Sequence, residues 1–235
     1  MLQLFFVEDI QSPKLTGDNA HHAERVLRMK SGEELLVSDG EGSFARCRVA
    51  SISKKEVTLS IVESGKESEP EIEISVLQAL PKSDRARETI ELLTAAGVTN
   101  IYPWQAARSI GKESDKWRSF SIEASKQSRR FFIPKVKEKL NTDAAIELCK
   151  EFDQVLICHE SAAQKLTEVV KSAKRTLIII GPEGGISDNE LTEFEAVGGK
   201  SVKLGRPILR SAHAGIAAIS AVSADRKSTR LNSSH

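Results

Sequence analysis

Cysteine is scarce in this 235-residue sequence, which holds Cys47, Cys149 and Cys158 only. The number is odd, the spacings are wide and no Cys-x-x-Cys pair occurs. A disulfide framework and a structural zinc site are therefore not expected, and buried reduced thiols are the simpler reading. Long apolar runs are missing as well, and none approaches the roughly 18 residues that a membrane span needs. The opening segment MLQLFFVEDIQS has neither a basic start nor a long apolar stretch, so the expectation is a cytoplasmic protein without a secretory signal or a membrane partner. An excess of charge of one sign is also lacking. Thirty-four Lys and Arg against 33 Asp and Glu leave a formal net charge of +1, so the global balance does not announce nucleic acid. Two nucleotide-binding fingerprints are absent. Gly198-Gly199-Lys200-Ser201 looks like the end of a P-loop, but Phe194 stands where that motif needs a glycine, and the segment leads from helix to strand, the reverse of a P-loop. No Gly-x-Gly-x-x-Gly follows a strand.

What is present suits a soluble globular chain, with 40% hydrophobic and 29% charged residues and room for one large domain or two small ones. Charge is unevenly spread. From Gln105 to Leu140, ten Lys or Arg face four Asp or Glu, whereas from Glu56 to Glu73 six Glu face Lys66 alone. Such a run is either a solvated face or a nucleic-acid surface. Up to about residue 70 the pattern is one of short strands: Leu4-Phe5-Phe6, then Glu34 to Ser38, Phe44 to Ile52, and an alternation of Val57, Leu59 and Ile61. Asp39-Gly40 and Gly42 supply turns, and a helix from Asn19 to Met29 carries Ala23, Val26 and Leu27 on one side. This predicts a small barrel. The polar stretch from Gly65 to Glu71 reads as a linker.

From Ile72 the pattern changes to strands alternating with helices, which predicts an α/β fold with a mostly parallel sheet. Strands are expected at Ile72 to Leu80, Ile101-Tyr102, Val155 to Cys158, Thr176 to Ile180 and Ser201 to Leu204. Helices are expected after Ser83 or Asp84, from Lys116 to Phe131, from Ala162 to Ala173, after the capping box Ser187-x-x-Glu190, and from Leu209 to Ala224. The closing DRKSTRLNSSH, residues 225–235, has no periodicity and is read as a non-native tail of the kind a translated cloning adapter leaves.

Ligands in parallel α/β sheets sit beyond the carboxyl ends of the strands. Three loops fall there: Cys158-His159-Glu160, Gly181-Pro182-Glu183-Gly184-Gly185, and Leu204-Gly205-Arg206-Pro207-Ile208-Leu209-Arg210. Glycines let a backbone approach a ligand closely; the bland alternative for the second loop is a tight turn. None of the loops holds a lysine or an acidic cluster suited to magnesium and phosphate. That favours a ligand bound through backbone hydrogen bonds and apolar contacts. His21 and His22 cannot share one helix face and have no third ligand in sight, so no metal is expected.

IIIGPEGGISDNE followed by LGRPILR resembles the signature pair of the ribosomal RNA small-subunit methyltransferase E family, within the SPOUT superfamily. Further matches lie in order: His22-x-x-Arg25-Val26-Leu27-Arg28 with Gly32, the segment ALPKSDRAR, the segment ELLTAAGVTNIYP, Arg108-Ser109, and Glu123-Ala124 through Gln127 to Arg130 with Pro134. Together they cover about residues 1 to 224. The resemblance implies a PUA-like β-barrel over residues 1–70 and, over 72–224, a SPOUT-type parallel-sheet domain whose last segments form a trefoil knot and pair into a homodimer. It implies S-adenosylmethionine, without a metal, bound by His159, Glu160, Gly181, Pro182, Glu183, Gly184, Leu204, Gly205, Ile208, Leu209 and Ser211. Contacts to 16S ribosomal RNA or the small subunit are expected from His22, Arg25, Arg28, Arg108, Gln127, Arg129 and Arg130.

The implied reaction is methylation of a uridine at N3, which needs donor and acceptor aligned and the charge developing on the uracil oxygens stabilised. Arg210 is the expected catalytic residue, with bracing of the knot as its alternative role. Glu183 reads better as a cap for nearby amides than as a base. The sequence departs from the family pattern after Arg210, where Ser211-Ala212-His213-Ala214 replaces the Thr-Glu-Thr-Ala of many relatives. Two other functions stand beside this one. One is a SPOUT enzyme acting on another RNA position, such as a ribose hydroxyl, but the block around His22 argues against it. A non-catalytic assembly factor would bind RNA without affinity for the cofactor.

Overall fold

The computed structural model describes residues 2–53, 55–112 and 114–232, without the side chains of residue 83 and residues 225–232. The chain divides into two units, residues 1–69 with 125–133, and residues 70–124 with 134–235. One boundary falls between residues 69 and 70, and the segment 125–133 groups with the first unit.

The first unit is a five-stranded, barrel-like sheet. Its strands are β1 (Leu4–Phe6), β2 (Lys14–Thr16), β3 (Glu34–Ser38), β4 (Ser43–Ile52) and β5 (Glu56–Lys66), in the order β1-β3-β4-β5-β2. Alternation fixes which face is inside. Leu35, Val37, Ala45, Cys47, Val49 and Val57 are buried with Phe5 and Leu15, while Arg46 and Arg48 on the other face bond Glu34 at 3.1 and 3.0 Å. Strand β5 runs into the stretch expected as linker, because Gly65 pairs with Phe44 across the hairpin. A Cβ on Gly65 would lie 2.7 Å from the Phe44 ring, so a side chain there would displace the aromatic.

The segment 125–133 seats on the tips of this sheet. The Phe131 ring stacks on Phe44 at 4.4 Å, Gly42 N–H donates to Phe131 O at 3.0 Å, and Ile133 N–H donates to Gly40 O at 3.0 Å. A Cβ on Gly40 would sit 2.6 Å from Ile133 Cδ1. Gly40 and Gly42 thus serve two needs, positive φ for the turn and room for this segment.

The helix expected from Asn19 to Met29 is a short α1 (Gly17–His21) followed by a π-helical turn, His22–Val26. Leu27 N–H reaches back five residues to His22 O at 2.9 Å. The extra residue in the turn shifts the helical phase, so Val26 is 61% exposed instead of lying beside buried Ala23.

The second unit carries a six-stranded parallel sheet of β6 (Glu73–Ala79), β7 (Asn100–Trp104), β8 (Lys135–Val136), β9 (Gln154–Cys158), β10 (Arg175–Ile180) and β11 (Lys200–Val202), ordered β11-β9-β10-β6-β7-β8. Apolar runs such as Leu177 to Ile180 follow from burial on both faces. Ile178 and Ile180 pack in one core with Ile90 and Leu93 of α2 (Ala86–Ala95) and with Ala218 and Ile219 of α7 (Ser211–Asn232). Leu177 and Ile179 pack in the opposite core, which holds Leu148 of α4 (Thr142–Cys149) and Phe194 of α6 (Asp188–Ala196).

Three helices differ from expectation. Helix α3 (Trp117–Ser128) stops before Phe131, because Arg129 turns left-handed at φ 54°. Helix α5 is only Leu166–Val169, since Val170 leaves the helical region at ψ 132°. Helix α7 continues eight residues beyond Ala224; of the presumed tail, residues 233–235 lie outside the described residues. Helix α4, which the periodicity did not suggest, starts on Asn141, whose side chain accepts from Ala144 N–H. Among the described residues, no helix is long and apolar enough to cross a membrane.

Candidate active site

Strand β9 lies between β10 and β11, so the loops after these three strands meet at one end of the sheet. Between them is a cavity of about 440 Å³. It is lined by His159 and Glu160 after β9, by Gly181, Pro182, Glu183 and Gly184 after β10, and by Leu204, Gly205, Ile208, Leu209 and Ser211 after β11. All the residues expected to contact a cofactor therefore come together. Arg210 does not line the cavity. Its side chain is exposed, and its carbonyl accepts from His213 and Ala214 N–H, both at 2.9 Å, to start α7.

The central loop is built by its glycines. Gly185 takes φ 75° and donates to Pro182 O at 2.9 Å, which closes a tight turn. A Cβ on Gly181 would come within 2.7 Å of Ile186 Cγ1, and Ile186 is buried. Ser211 Oγ donates to Gly181 O at 2.7 Å and accepts from Gln78 Nε2 at 3.0 Å. The start of α7 is thereby tied directly to the loop after β10, and also to a buried glutamine on β6. Ser211 fills its place with a hydroxyl, so the departure from the family pattern keeps a hydrogen bond at this point.

Glu183 accepts the Lys82 N–H at 3.3 Å, the capping role expected of it. Cys158 lines the cavity, but burial pushes its thiol up to about 12, so it is not a thiolate at neutral pH. His159 accepts the Ser161 N–H on Nδ1 at 3.3 Å.

Two residues were not read from the sequence as parts of this wall. Arg108, expected to face RNA, lines the cavity and donates from Nη1 to Gly184 O at 3.2 Å. Glu190 was visible only as the capping partner of Ser187. Buried beneath the loop, it accepts from Ser187 N–H (3.0 Å) and Oγ (2.6 Å), from Ala107 N–H (2.8 Å) and from Thr142 Oγ (3.1 Å). Burial alone would raise its pKa, yet these donors outweigh burial and hold it below the ordinary carboxylate value. One carboxylate thus fastens the segment that carries Arg108 to the start of α6. No pattern local to the chain announces a contact across 83 positions.

The other residues expected at RNA lie in the first unit. His22, Arg25, Arg28 and Gln127 are exposed there, and Arg129 is half-buried. Lys126 Nζ donates to Asn19 Oδ1 at 3.3 Å, which brings the end of α3 beside α1. Arg28 and Arg129 share a left-handed backbone, φ 53° and 54°. Burial of Arg130 lowers its guanidinium to about 10, against the pull of Glu67. Among the described residues, no group of three or more His, Cys, Asp and Glu is close enough to hold a metal.

A family model described as an RNA methyltransferase domain matches residues 67–223, and one described as an RNA methyltransferase PUA domain matches residues 15–62. The Ribosomal RNA small subunit methyltransferase E of Mycobacterium bovis is 33% identical over 236 residues, with 93% of this chain and 90% of that one covered. The protein of the same name from Bacillus subtilis is 29% identical, covering 92% and 91%. Among solved structures, a Ribosomal RNA small subunit methyltransferase E from Neisseria gonorrhoeae bound to S-adenosyl methionine superposes with a TM-score of 0.85 over 95% of this chain and 98% of that one. At 24% identity that likeness speaks to the fold. With a domain match over most of its length and a relative 33% identical across 93% of this chain, the chain belongs to the ribosomal RNA small subunit methyltransferase E family.

Proposed function

We propose that this protein methylates N3 of a uridine in 16S ribosomal RNA, with S-adenosylmethionine as the methyl donor. The observation that carries the reading is the convergence of three strand-end loops, two of them glycine-bearing, on one cavity. Its volume of about 440 Å³ lies in the usual range for a small-molecule site. Gly181 and Gly184 present backbone without side chains, and Ile180, Leu204 and Leu209 offer apolar surface to an adenosine. The cofactor, when bound, supplies an electrophilic methyl group on a sulfonium.

The chain's own work is positioning. Glu190 and Arg108 hold the loop after β10, and Ser211 holds it against α7. Arg210 sits between two lining residues, Leu209 and Ser211, with its side chain in solvent. From there its guanidinium is available to bond the uracil oxygens once RNA is present, where a planar fork stabilises developing negative charge. Arg210→Lys is expected to slow single-turnover methylation about tenfold to a thousandfold; an unchanged rate would remove it from the mechanism.

The first unit supplies the RNA grip through His22, Arg25, Arg28, Gln127, Arg129 and Arg130. The trefoil knot and the homodimer belong to the same proposal. Ile208, 75% exposed, and Leu209, 41% exposed, leave apolar surface at the mouth of the cavity for a second copy to cover. The small residues of α7 do not add to that argument, because Ala218 packs on α2 within the chain. Mass spectrometry of ribosomal RNA from a strain without this gene tests the activity: loss of one 3-methyluridine supports it, and an unaltered nucleoside profile opposes it.

A further inference from the structure

A second cavity, of about 590 Å³, lies at the amino ends of β9, β10 and β11. The strands themselves, about five residues long, separate it from the candidate active site by roughly 16 Å. Lys150, Lys171, Lys174 and Lys200 line it, together with Gln154 and Asp153. Of these charges, one cation is neutralised and one group keeps a negative charge. Lys150 pairs with Glu147 at 2.6 Å, and Asp153 accepts the Arg175 N–H at 2.9 Å. Lys171, Lys174 and Lys200 are exposed and have no carboxylate partner among the described residues.

Exposed lysines alone would be solvated surface. Gln154 changes that. It is only 9% exposed, and its Oε1 accepts the Lys171 N–H at 2.8 Å, which fixes the orientation of the amide. Its Nε2 is buried without a hydrogen-bond partner. A buried donor left unpaired is costly, and a bound acceptor recovers that cost. The partner must be an acceptor oxygen, and three unneutralised ammonium groups around it select an oxygen that carries negative charge. Several charges around one donor favour an oxyanion with more than one oxygen. Cys149, on the same lining, takes no part: its Sγ donates to Ala145 O, and burial pushes the thiol up to about 12.

We infer that this cavity is a phosphate site, in which one phosphate oxygen accepts from Gln154 Nε2 while Lys171, Lys174 and Lys200 balance the charge. The phosphate comes either from an RNA backbone or from a free phosphate-bearing molecule. The site goes beyond methyl transfer, and the two stand or fall separately because they lie at opposite ends of the sheet.

The test is nitrogen-resolved NMR of the full chain, titrated with inorganic phosphate at constant ionic strength. The Gln154 side-chain amide resonance should shift and saturate. Gln154→Glu keeps an acceptor for Lys171 N–H but loses the donor, and should weaken binding about tenfold or more. Removing Lys171, Lys174 and Lys200 together, all exposed and outside the core, should abolish the shift with the fold retained. A small-subunit ribosomal RNA fragment that moves the same resonance and competes with phosphate identifies the RNA backbone as the source. Phosphate binding without such competition identifies a free ligand. A Gln154 resonance that moves with neither probe, or phosphate affinity unchanged in the triple lysine variant, overturns the inference.

Discussion

At the residue scale, the candidate site depends on positions where a single atom matters. Gly181 faces Ile186 so closely that a Cβ would stand 2.7 Å from it. Gly181→Ala is expected to move the loop after β10, to cost about 1–3 kcal/mol and to weaken cofactor binding, since overpacking displaces backbone. Calorimetry with S-adenosylmethionine checks this, and unchanged affinity would mean that the loop is only a turn. Glu190 gives a pH-dependent counterpart. Its pKa is held below the ordinary 4.5, so its contribution to stability is complete above that value and is lost as pH falls through the folded-state pKa. Glu190→Gln removes two of its four acceptances and should cost about 2–3 kcal/mol at neutral pH. It should also flatten the acid limb of the stability curve, read by urea unfolding from pH 7 downward. The residues on the loops after β9, β10 and β11 were legible because each loop is continuous in the chain and follows a readable strand, and the loops after β10 and β11 are marked by glycine. Arg108 and Glu190 were not, because their contacts join segments far apart in sequence.

At the element scale, the strands were the more readable part, since burial on one or both faces writes its period directly into the chain. Where helices end was less readable, for reasons that recur. A turn with one extra residue rotated Val26 outward, and left-handed Arg129 ended α3 three residues early. Glycine usually takes such a position. Arginine there costs about 1 kcal/mol, a strain more common at functional positions. Arg129→Gly should therefore raise stability by about that amount while weakening binding to ribosomal RNA. Melting temperature and affinity measured on one variant decide the matter: RNA affinity that survives the substitution would assign Arg129 to the fold alone. The first two residues of the stretch expected as a linker, Gly65 and Lys66, became the end of β5 because Gly65 packs under Phe44, a contact with no local signature.

At the scale of the whole molecule, two units divide the proposed labour, RNA grip in the first and cofactor binding in the second. The first unit also claims residues 125–133, of which sequence periodicity assigns 125–131 to a helix of the second. The apolar mouth around Ile208 and Leu209 calls for cover by a second copy, and light scattering at micromolar concentration should return twice the chain mass. A monomer there would leave that surface to the RNA. The most direct measurement of the central claim uses the purified chain, S-adenosylmethionine with a labelled methyl group, and small ribosomal subunits from a strain without this gene. Methylation at N3 blocks Watson–Crick pairing, so reverse transcription should stop at one uridine, and nucleoside mass spectrometry should find the label in 3-methyluridine. Label in a ribose or another base, or RNA binding with no transfer at all, would contradict the account.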